Sequence, residues 1–223
     1  MIIMTDLSEV LIKGVYGTEK IVAERYGEAV AERYVKRRNA INDIFCELLR
    51  GHFSENIYWD VFLQEGEWPF DRDELKEILS INMIDDIPGT LSVYQRIIGY
   101  PDHIGYDPKK IDGSPRFWLV SDHIAGRVVE IEYMHPDIFD LTTNQIWSFI
   151  CSQIKSDPSF FPELISTYNL AHDEIVFIDD LQINIDAATS TGITGILFQN
   201  PEQLEKDLTE LGFVFAEPFK INR

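Results

Sequence analysis

Short apolar runs that end in polar residues recur along the chain and predict the strands of a sheet. The strong runs are 2–5, 117–120 and 175–178, a further strand is predicted at 193–198, and 145–151 alternates weakly. A short apolar run bounded by polar turn residues is typical of a strand that is buried on both faces of a parallel sheet. We therefore expect a parallel sheet at the centre of the protein.

The stretch from Thr18 to Ile84 has helical spacing and lacks a strand pattern. The predicted helices cover 20–38, 40–49, 55–65 and 72–79. Ser54 is a candidate N-cap for the third of these helices, and Asp71 and Glu74 are spaced for a capping box at the fourth. The pattern predicts an α-helical insert, residues 15–85, between the first strand and the rest of the chain.

Strands alternate with helices after this insert. The predicted helices cover 91–98, 124–134, 158–168, 185–190 and 201–211. Residues 99–115 are rich in proline and glycine and are predicted to form a long loop. Alternation of strand and helix is typical of an α/β fold with a Rossmann-like, doubly wound parallel sheet. The core of this fold would comprise residues 1–14 and 86–223.

The net charge of the chain bears on which classes of molecule the protein can bind. Its 38 acidic and 19 basic residues give a formal net charge of −19, which argues against binding to nucleic acid or to an anionic membrane surface. A small anionic metabolite stays possible, because one lysine and a metal ion can reverse the sign of the charge inside a pocket. Two cysteines, no basic N-terminal region and no long apolar run lead us to expect a cytoplasmic protein, either monomer or homodimer.

Polar side chains follow three of the predicted strands, and such strand ends meet at one edge of an open α/β sheet. Asp6 ends the first strand, Ser121 ends the second, and Asp179 and Asp180 end the strand at 175–178. Lys155 precedes a predicted helix. Chemistry on a phosphoryl group uses these parts: a carboxylate that attacks, a hydroxyl and an ammonium that hold oxygens, and two carboxylates that help to hold Mg²⁺.

The order of these segments resembles the haloacid dehalogenase (HAD) superfamily over essentially the whole chain. The similar segments are Ile3 to Leu11, Leu119 to Asp122, Lys155 to Pro158, and Val176 to Asp180 with Asn184, Ala187 and Ala188 behind it. The resemblance implies a HAD core with a C1-type helical cap at residues 15–85. It also implies a hydrolase, nominally acting on a small phosphorylated metabolite through an aspartyl-phosphate intermediate.

The resemblance also implies a role for each site residue. Asp6 would be the nucleophile, and Ser121, Asp122 and Lys155 would bind substrate. Mg²⁺ would be held by Asp6, the backbone carbonyl of Ser8, Asp179 and Asp180, although one of the last two could instead pair with Lys155.

Ser8 departs from the family pattern, because phosphatases of the family carry a second Asp at this position. That Asp protonates the leaving group and then activates water, and a positioned group of this kind contributes about 10²–10⁴-fold. A serine hydroxyl is too weak an acid for this step, so turnover should be impaired. Two alternatives stay open: a binding or regulatory protein that has lost turnover, and a 2-haloacid dehalogenase, which needs no leaving-group proton but usually lacks the carboxylate pair.

Several other residues are assigned more ordinary roles. Four of the five histidines lack metal-ligand spacing and are expected to be structural or exposed: His103, His123, His135 and His172. The aromatic residues Trp59, Phe62 and Trp68 are expected to form the core of the cap. Asn184 could support the site or cap a helix, and residues near 15–18 could touch substrate.

Overall fold

A parallel sheet of five strands organises the protein, which we describe from a computed structural model for residues 1–83, 85–97 and 116–216. The strands are β1 (Ile2–Thr5), β2 (Arg116–Ser121), β3 (Asn144–Trp147), β4 (Ile175–Asp179) and β5 (Thr194–Leu197). Their order is β3-β2-β1-β4-β5, so β1 is central. Thr5 is in register with Leu119 on one side and with Ile178 on the other. This register brings the carboxyl ends of β1, β2 and β4 together.

Helices cover both faces of the sheet. They are α1 (Thr18–Tyr26), α2 (Glu28–Ala40), α3 (Asn42–Leu49), α4 (Glu55–Leu63), α5 (Arg72–Met83), α6 (Thr90–Ile97), α7 (Val128–Met134), α8 (Pro136–Leu141), α9 (Ser148–Cys151), α10 (Phe160–Tyr168), α11 (Gln182–Thr189) and α12 (Pro201–Glu210). Alternate strand residues enter different cores: Ile3 packs in one apolar cluster and Met4 in the other. The predicted α/β, doubly wound parallel sheet is confirmed. None of the helices in the described part of the chain combines the length and apolar character needed to span a bilayer.

The helical insert leaves the core and returns to it through two neighbouring segments. The N–H of Lys13 donates to the carbonyl of Asp85 at 2.9 Å, and the N–H of Ile87 donates to the carbonyl of Leu11 at 2.8 Å. Helices α1 to α5 lie in sequence between these segments. The division into a core of 1–14 and 86–223 and a cap of 15–85 remains a prediction, and this pairing lies at its boundary.

Ion pairs join the insert to the core. Arg127, which precedes α7, pairs with Glu55 of α4 at 2.6 Å, and their side chains are 5% and 10% exposed. Arg127 also donates to the carbonyl of Lys76 in α5 at 3.1 Å. Arg50, just after α3, donates to both carboxylate oxygens of Asp157 at 3.0 and 2.5 Å. Asp157 belongs to the loop that carries Lys155, so the insert is tied directly to a predicted site segment.

Two predicted elements are wrong in detail. A single helix over 20–38 is replaced by α1 and α2, because Gly27 lies between them with φ 89°, outside the helical region. The weak strand at 145–151 ends at Trp147, and the chain turns into α9.

The predicted helix caps have mixed outcomes. The capping box is confirmed: Asp71 Oδ1 accepts from the N–H groups of Asp73 and Glu74 at 2.9 and 3.0 Å, and Glu74 Oε2 accepts from the N–H of Asp71 at 3.3 Å. Ser54 precedes α4 as predicted, but its hydroxyl forms no capping hydrogen bond with the described residues. The predicted loop at 99–115, which contains His103, lies outside the described residues.

Candidate active site

Asp6 lies directly after the central strand and is held by its own loop. Its N–H donates to the carbonyl of Ile178 at 2.9 Å, which extends the sheet pairing by one residue. Its Oδ1 accepts the N–H of Leu7 at 2.7 Å. The residue is 6% exposed. The second carboxylate oxygen is left to face the charged groups of the site.

Lys155 joins the ends of two strands. Its Nζ lies 2.8 Å from Asp6 Oδ2 and 2.6 Å from Asp179 Oδ2, and its side chain is 1% exposed. Burial alone would lower the pKa of this ammonium, but the carboxylates of Asp179, Asp6 and Asp122 outweigh it and raise the pKa. Lys155 is therefore a fixed positive charge. Its backbone N–H donates to the Asp122 carboxylate at 3.0 and 3.2 Å.

The carboxylates at the end of β4 complete a set of oxygen donors. Asp179 Oδ1 accepts from the N–H of Leu181 at 2.9 Å and from the amide of Asn184 at 3.0 Å. One oxygen each from Asp6, Asp179 and Asp180 lie within 4.8 Å of one another. A hard cation such as Mg²⁺ prefers ligands of this kind. Asn184 thus has the supporting role that the sequence left open.

Carboxylates outnumber positively charged groups among these site residues, so their charges are not neutralised by Lys155 alone. Burial, followed by the carboxylates of Asp6 and Asp179, raises the pKa of Asp180 to about 7. Burial also raises the pKa of Asp122 to about 7, and it raises the pKa of Asp179. One ammonium faces four carboxylates here, so a divalent cation would lower their mutual repulsion.

The two predicted serine positions differ in their surroundings. Ser8 lines the site cavity together with Asp6. The chain packs tightly behind it, since a Cβ atom at Gly14 would come within 2.8 Å of Ser8 Cβ. Ser121 lies at the end of β2, is 1% exposed and does not line the cavity. Its hydroxyl has no hydrogen-bond partner among the described residues.

The cavity at this edge of the sheet has a volume of about 120 Å³. The predicted site residues that line it are Asp6, Ser8, Asp122, Lys155 and Asp180. The insert contributes Val15, Tyr16, Phe45, Leu49 and Met83. The cavity is therefore charged on the side of the strand ends and apolar or aromatic on the side of the insert.

His123 was expected to be structural or exposed, and the structure buries it in the lining of the cavity. Its place in the cavity was not anticipated, although its position just after Asp122 was an available signal. Val15 and Tyr16 line the cavity, as the sequence allowed. The rings of Trp59 and Phe62 pack at 5.7 Å and those of Phe62 and Trp68 at 5.1 Å, away from the cavity lining.

Comparison with known proteins places the fold. No family model matches the chain. A segment of 85 residues is 32% identical to flavin mononucleotide hydrolase 1 of the Arabidopsis thaliana chloroplast, and it covers 37% of this chain and 35% of that protein. The chain thus matches well under half the length of this curated relative.

Solved structures match over nearly the full length. The magnesium complex of the HAD-family enzyme BT-2542 from Bacteroides thetaiotaomicron has a TM-score of 0.68 at 15% identity, covering 93% of this chain and 97% of that one. A predicted HAD-like family hydrolase from Porphyromonas gingivalis has a TM-score of 0.67 at 18% identity, covering 94% of this chain and 96% of that one. The L-2-haloacid dehalogenase from Xanthobacter autotrophicus has a TM-score of 0.59 at 13% identity, covering 94% and 83%. The chain has the HAD-like fold that the resemblance of its motifs implied.

Proposed function

We propose that the protein is a Mg²⁺-dependent phosphohydrolase that acts on a small phosphorylated metabolite through an aspartyl-phosphate intermediate at Asp6. The observation that carries this proposal is the meeting of Asp6, Lys155, Asp179 and Asp180 at the carboxyl ends of β1 and β4. Solved relatives of the same fold include a complex with magnesium and inorganic phosphate. We also propose a cytoplasmic location.

The three carboxylates Asp6, Asp179 and Asp180, with the backbone carbonyl of Ser8, would hold the cation. When bound, Mg²⁺ would supply positive charge to neutralise the phosphoryl group and the carboxylates around it. Asn184 and the N–H of Leu181 fix the orientation of Asp179. These contacts prepare the donor set before any ligand arrives.

In the first chemical step, Asp6 attacks phosphorus, a new O–P bond forms, and the bond to the leaving oxygen breaks. Lys155 would hold the phosphoryl oxygens, whereas Ser121 does not line the cavity and would reach them only if the end of β2 shifts. Asp122 holds the Lys155 loop through the backbone N–H of Lys155. In the second step, water attacks the aspartyl-phosphate, inorganic phosphate departs, and the Asp6 carboxylate is restored.

Ser8 limits both steps. The leaving alkoxide needs a proton, and the attacking water must lose one, but a serine hydroxyl is a poor acid and a poor base near neutral pH. We therefore propose slow turnover for alkyl phosphates and faster turnover for aryl phosphates, whose leaving groups need less protonation.

The test is hydrolysis of an activated aryl phosphate with and without Mg²⁺. The parent should release phosphate only with Mg²⁺, and Asp6→Asn should be inactive. Ser8→Asp should raise the rate on an alkyl phosphate by about 10²–10⁴-fold, whereas the matched Ser8→Asn variant should not. Activity that survives Asp6→Asn would rule out the mechanism.

The substrate panel should include flavin mononucleotide, because a curated relative is named for its hydrolysis. The cavity of about 120 Å³ is well below the range of about 300–1,000 Å³ typical of drug-sized ligands. With the insert in the position that the structure shows, we therefore expect phosphoesters smaller than flavin mononucleotide to be preferred.

Two other functions remain alternatives. Ser8 supports a HAD-fold binding protein without turnover, which would bind Mg²⁺ and phosphate but release no product over many cycles. Structural similarity to L-2-haloacid dehalogenases supports halide release from a 2-haloacid. Halide release that EDTA leaves unchanged would favour the dehalogenase, and the Asp179–Asp180 pair argues against it.

A further inference from the structure

His123 lines the candidate site and has one unpaired ring nitrogen. The residue is 2% exposed and lines the cavity. Its ring stands edge-on to Trp147, with 6.1 Å between the centroids. Its Nε2 is buried and has no hydrogen-bond partner among the residues that the structure describes. Because a buried polar atom is costly to leave unpaired, a bound ligand is the natural partner for this nitrogen.

The other ring nitrogen determines which atom carries the proton. Nδ1 accepts the backbone N–H of Ile124 at 2.9 Å, while the carbonyl of Ile124 is farther away at 3.4 Å. A nitrogen that accepts an N–H must offer its lone pair, so the proton of the neutral ring lies on Nε2. Burial lowers the pKa of His123 to about 4, which keeps the ring neutral near pH 7. His123 is therefore a hydrogen-bond donor of fixed direction.

A chain of hydrogen bonds connects the backbone of His123 to the insert. The N–H of His123 donates to the hydroxyl of Ser148 at 3.0 Å, and this hydroxyl donates to the carbonyl of Leu49 at 2.6 Å. Leu49 and Phe45 of α3 line the cavity. Among the described lining residues, those of the insert carry no charged side chain. His123 thus lies where the core meets the uncharged part of the cavity, whereas the charged groups come from the loops of the core.

We propose that His123 binds substrate by donating a hydrogen bond from Nε2–H to an acceptor atom of the leaving group, outside the phosphoryl group. This inference rests on the proposed function and deepens it by naming the substrate class. The preferred substrate would be a phosphoester whose leaving group is uncharged, apolar or aromatic, and bears an acceptor. A neutral imidazole cannot release its Nε2 proton near pH 7, so His123 positions the substrate and does not replace the acid missing at Ser8.

The test compares benzyl phosphate with the three pyridylmethyl phosphates, which have nearly the same shape and add one ring nitrogen as acceptor. With Mg²⁺, at least one pyridylmethyl isomer should exceed benzyl phosphate in kcat/KM by about tenfold. His123→Leu should abolish this preference, and His123→Gln, which retains an N–H donor, should restore part of it. Inhibition by inorganic phosphate should be the same in all three proteins, because it lacks a leaving group.

A second measurement separates this inference from the proposed function. Ring ¹⁵N NMR of His123, in the Asp6→Asn variant with Mg²⁺, should show a shift of the Nε2–H signal with a pyridylmethyl phosphate and none with inorganic phosphate. A ring response without turnover by the parent would refute the phosphohydrolase and leave the role of His123 standing. Absence of a ring response to every ester, or a substrate preference that persists in His123→Leu, would overturn the role of His123.

Discussion

Replacement of Lys155 by methionine removes the positive charge between Asp6 and Asp179 while it keeps a side chain of similar length. The ammonium lies 2.8 and 2.6 Å from these two carboxylates, which are 6% and 0% exposed. Removing one partner of a buried ion pair leaves an uncompensated charge and costs about 3–5 kcal/mol. We expect Lys155→Met to lose about this much unfolding free energy at pH 7 without Mg²⁺. At about 2–4 °C per kcal/mol, the melting temperature should fall by roughly 6–20 °C.

Mg²⁺ and acid should each restore part of this loss. Mg²⁺ supplies a replacement positive charge to the same carboxylates. Burial already raises the pKa of Asp179, and loss of Lys155 raises it further. The native variant then binds more protons than the unfolded chain, so its stability relative to the parent rises as the pH falls from about 7 to 5.

The assay is urea unfolding of parent and variant at pH 7 and pH 5, each with and without Mg²⁺. The matched control is Lys206→Met, since the side chain of Lys206 is 73% exposed and lies 3.7 Å from Glu210. This control should change the unfolding free energy by less than about 0.5 kcal/mol. A Lys155→Met protein as stable as the parent at pH 7 without Mg²⁺ would refute the reasoning.

Three further predictions follow from the same structure. Mg²⁺ at 100 times its dissociation constant should stabilise the parent by about 2.7 kcal/mol in thermal melts; Asp179→Asn should lose this gain, and a melting temperature insensitive to Mg²⁺ would contradict the cation site. Arg127→Met should lower the free energy of unfolding in urea by about 3–5 kcal/mol, because Glu55 is only 10% exposed and loses its partner. The control Arg72→Met, at a side chain 40% exposed, should lower it by no more than about 1 kcal/mol, and equal losses would argue against a special role for Arg127. Burial lowers the pKa of His123 from 6.5 to about 4. Between these two values the unfolded chain binds more protons than the native one, so stability falls as the pH drops, by up to about 3 kcal/mol. Urea unfolding from pH 7 to 4.5 should therefore be less pH-dependent in His123→Gln, and parallel curves for the two proteins would count against the buried neutral ring.

The sequence could predict the strand ends because their signal is local. Each of Asp6, Ser121 and Asp179 follows an apolar run, and parallel strands place such residues at one edge of the sheet. The capping box at Asp71 was predictable for the same reason, since its partners lie within three residues.

Features that depend on distant residues could not be predicted. Besides Glu130, three residues on, the partners of Arg127 lie on α4 and α5, up to 72 residues away. The role proposed for His123 depends on Phe45 and Leu49 of the insert, which line the same cavity but lie more than 70 residues away in sequence. Gly27 was missed because an isolated glycine within a run of helix formers is tolerated and does not by itself mark the end of a helix.

The paired backbone segments at residues 11–13 and 85–87 have a consequence for evolution and engineering. The ends of the inserted helices leave and rejoin the sheet domain as hydrogen-bonded neighbours, so the whole inserted segment is attached as one module with adjacent termini. Exchange of such a module requires no long loop to close the chain and leaves the sheet backbone as it is. A chimera that grafts the helices of another protein with this fold between these segments is therefore expected to change the insert side of the cavity lining, while it keeps the carboxylates at the strand ends and Lys155 in its loop.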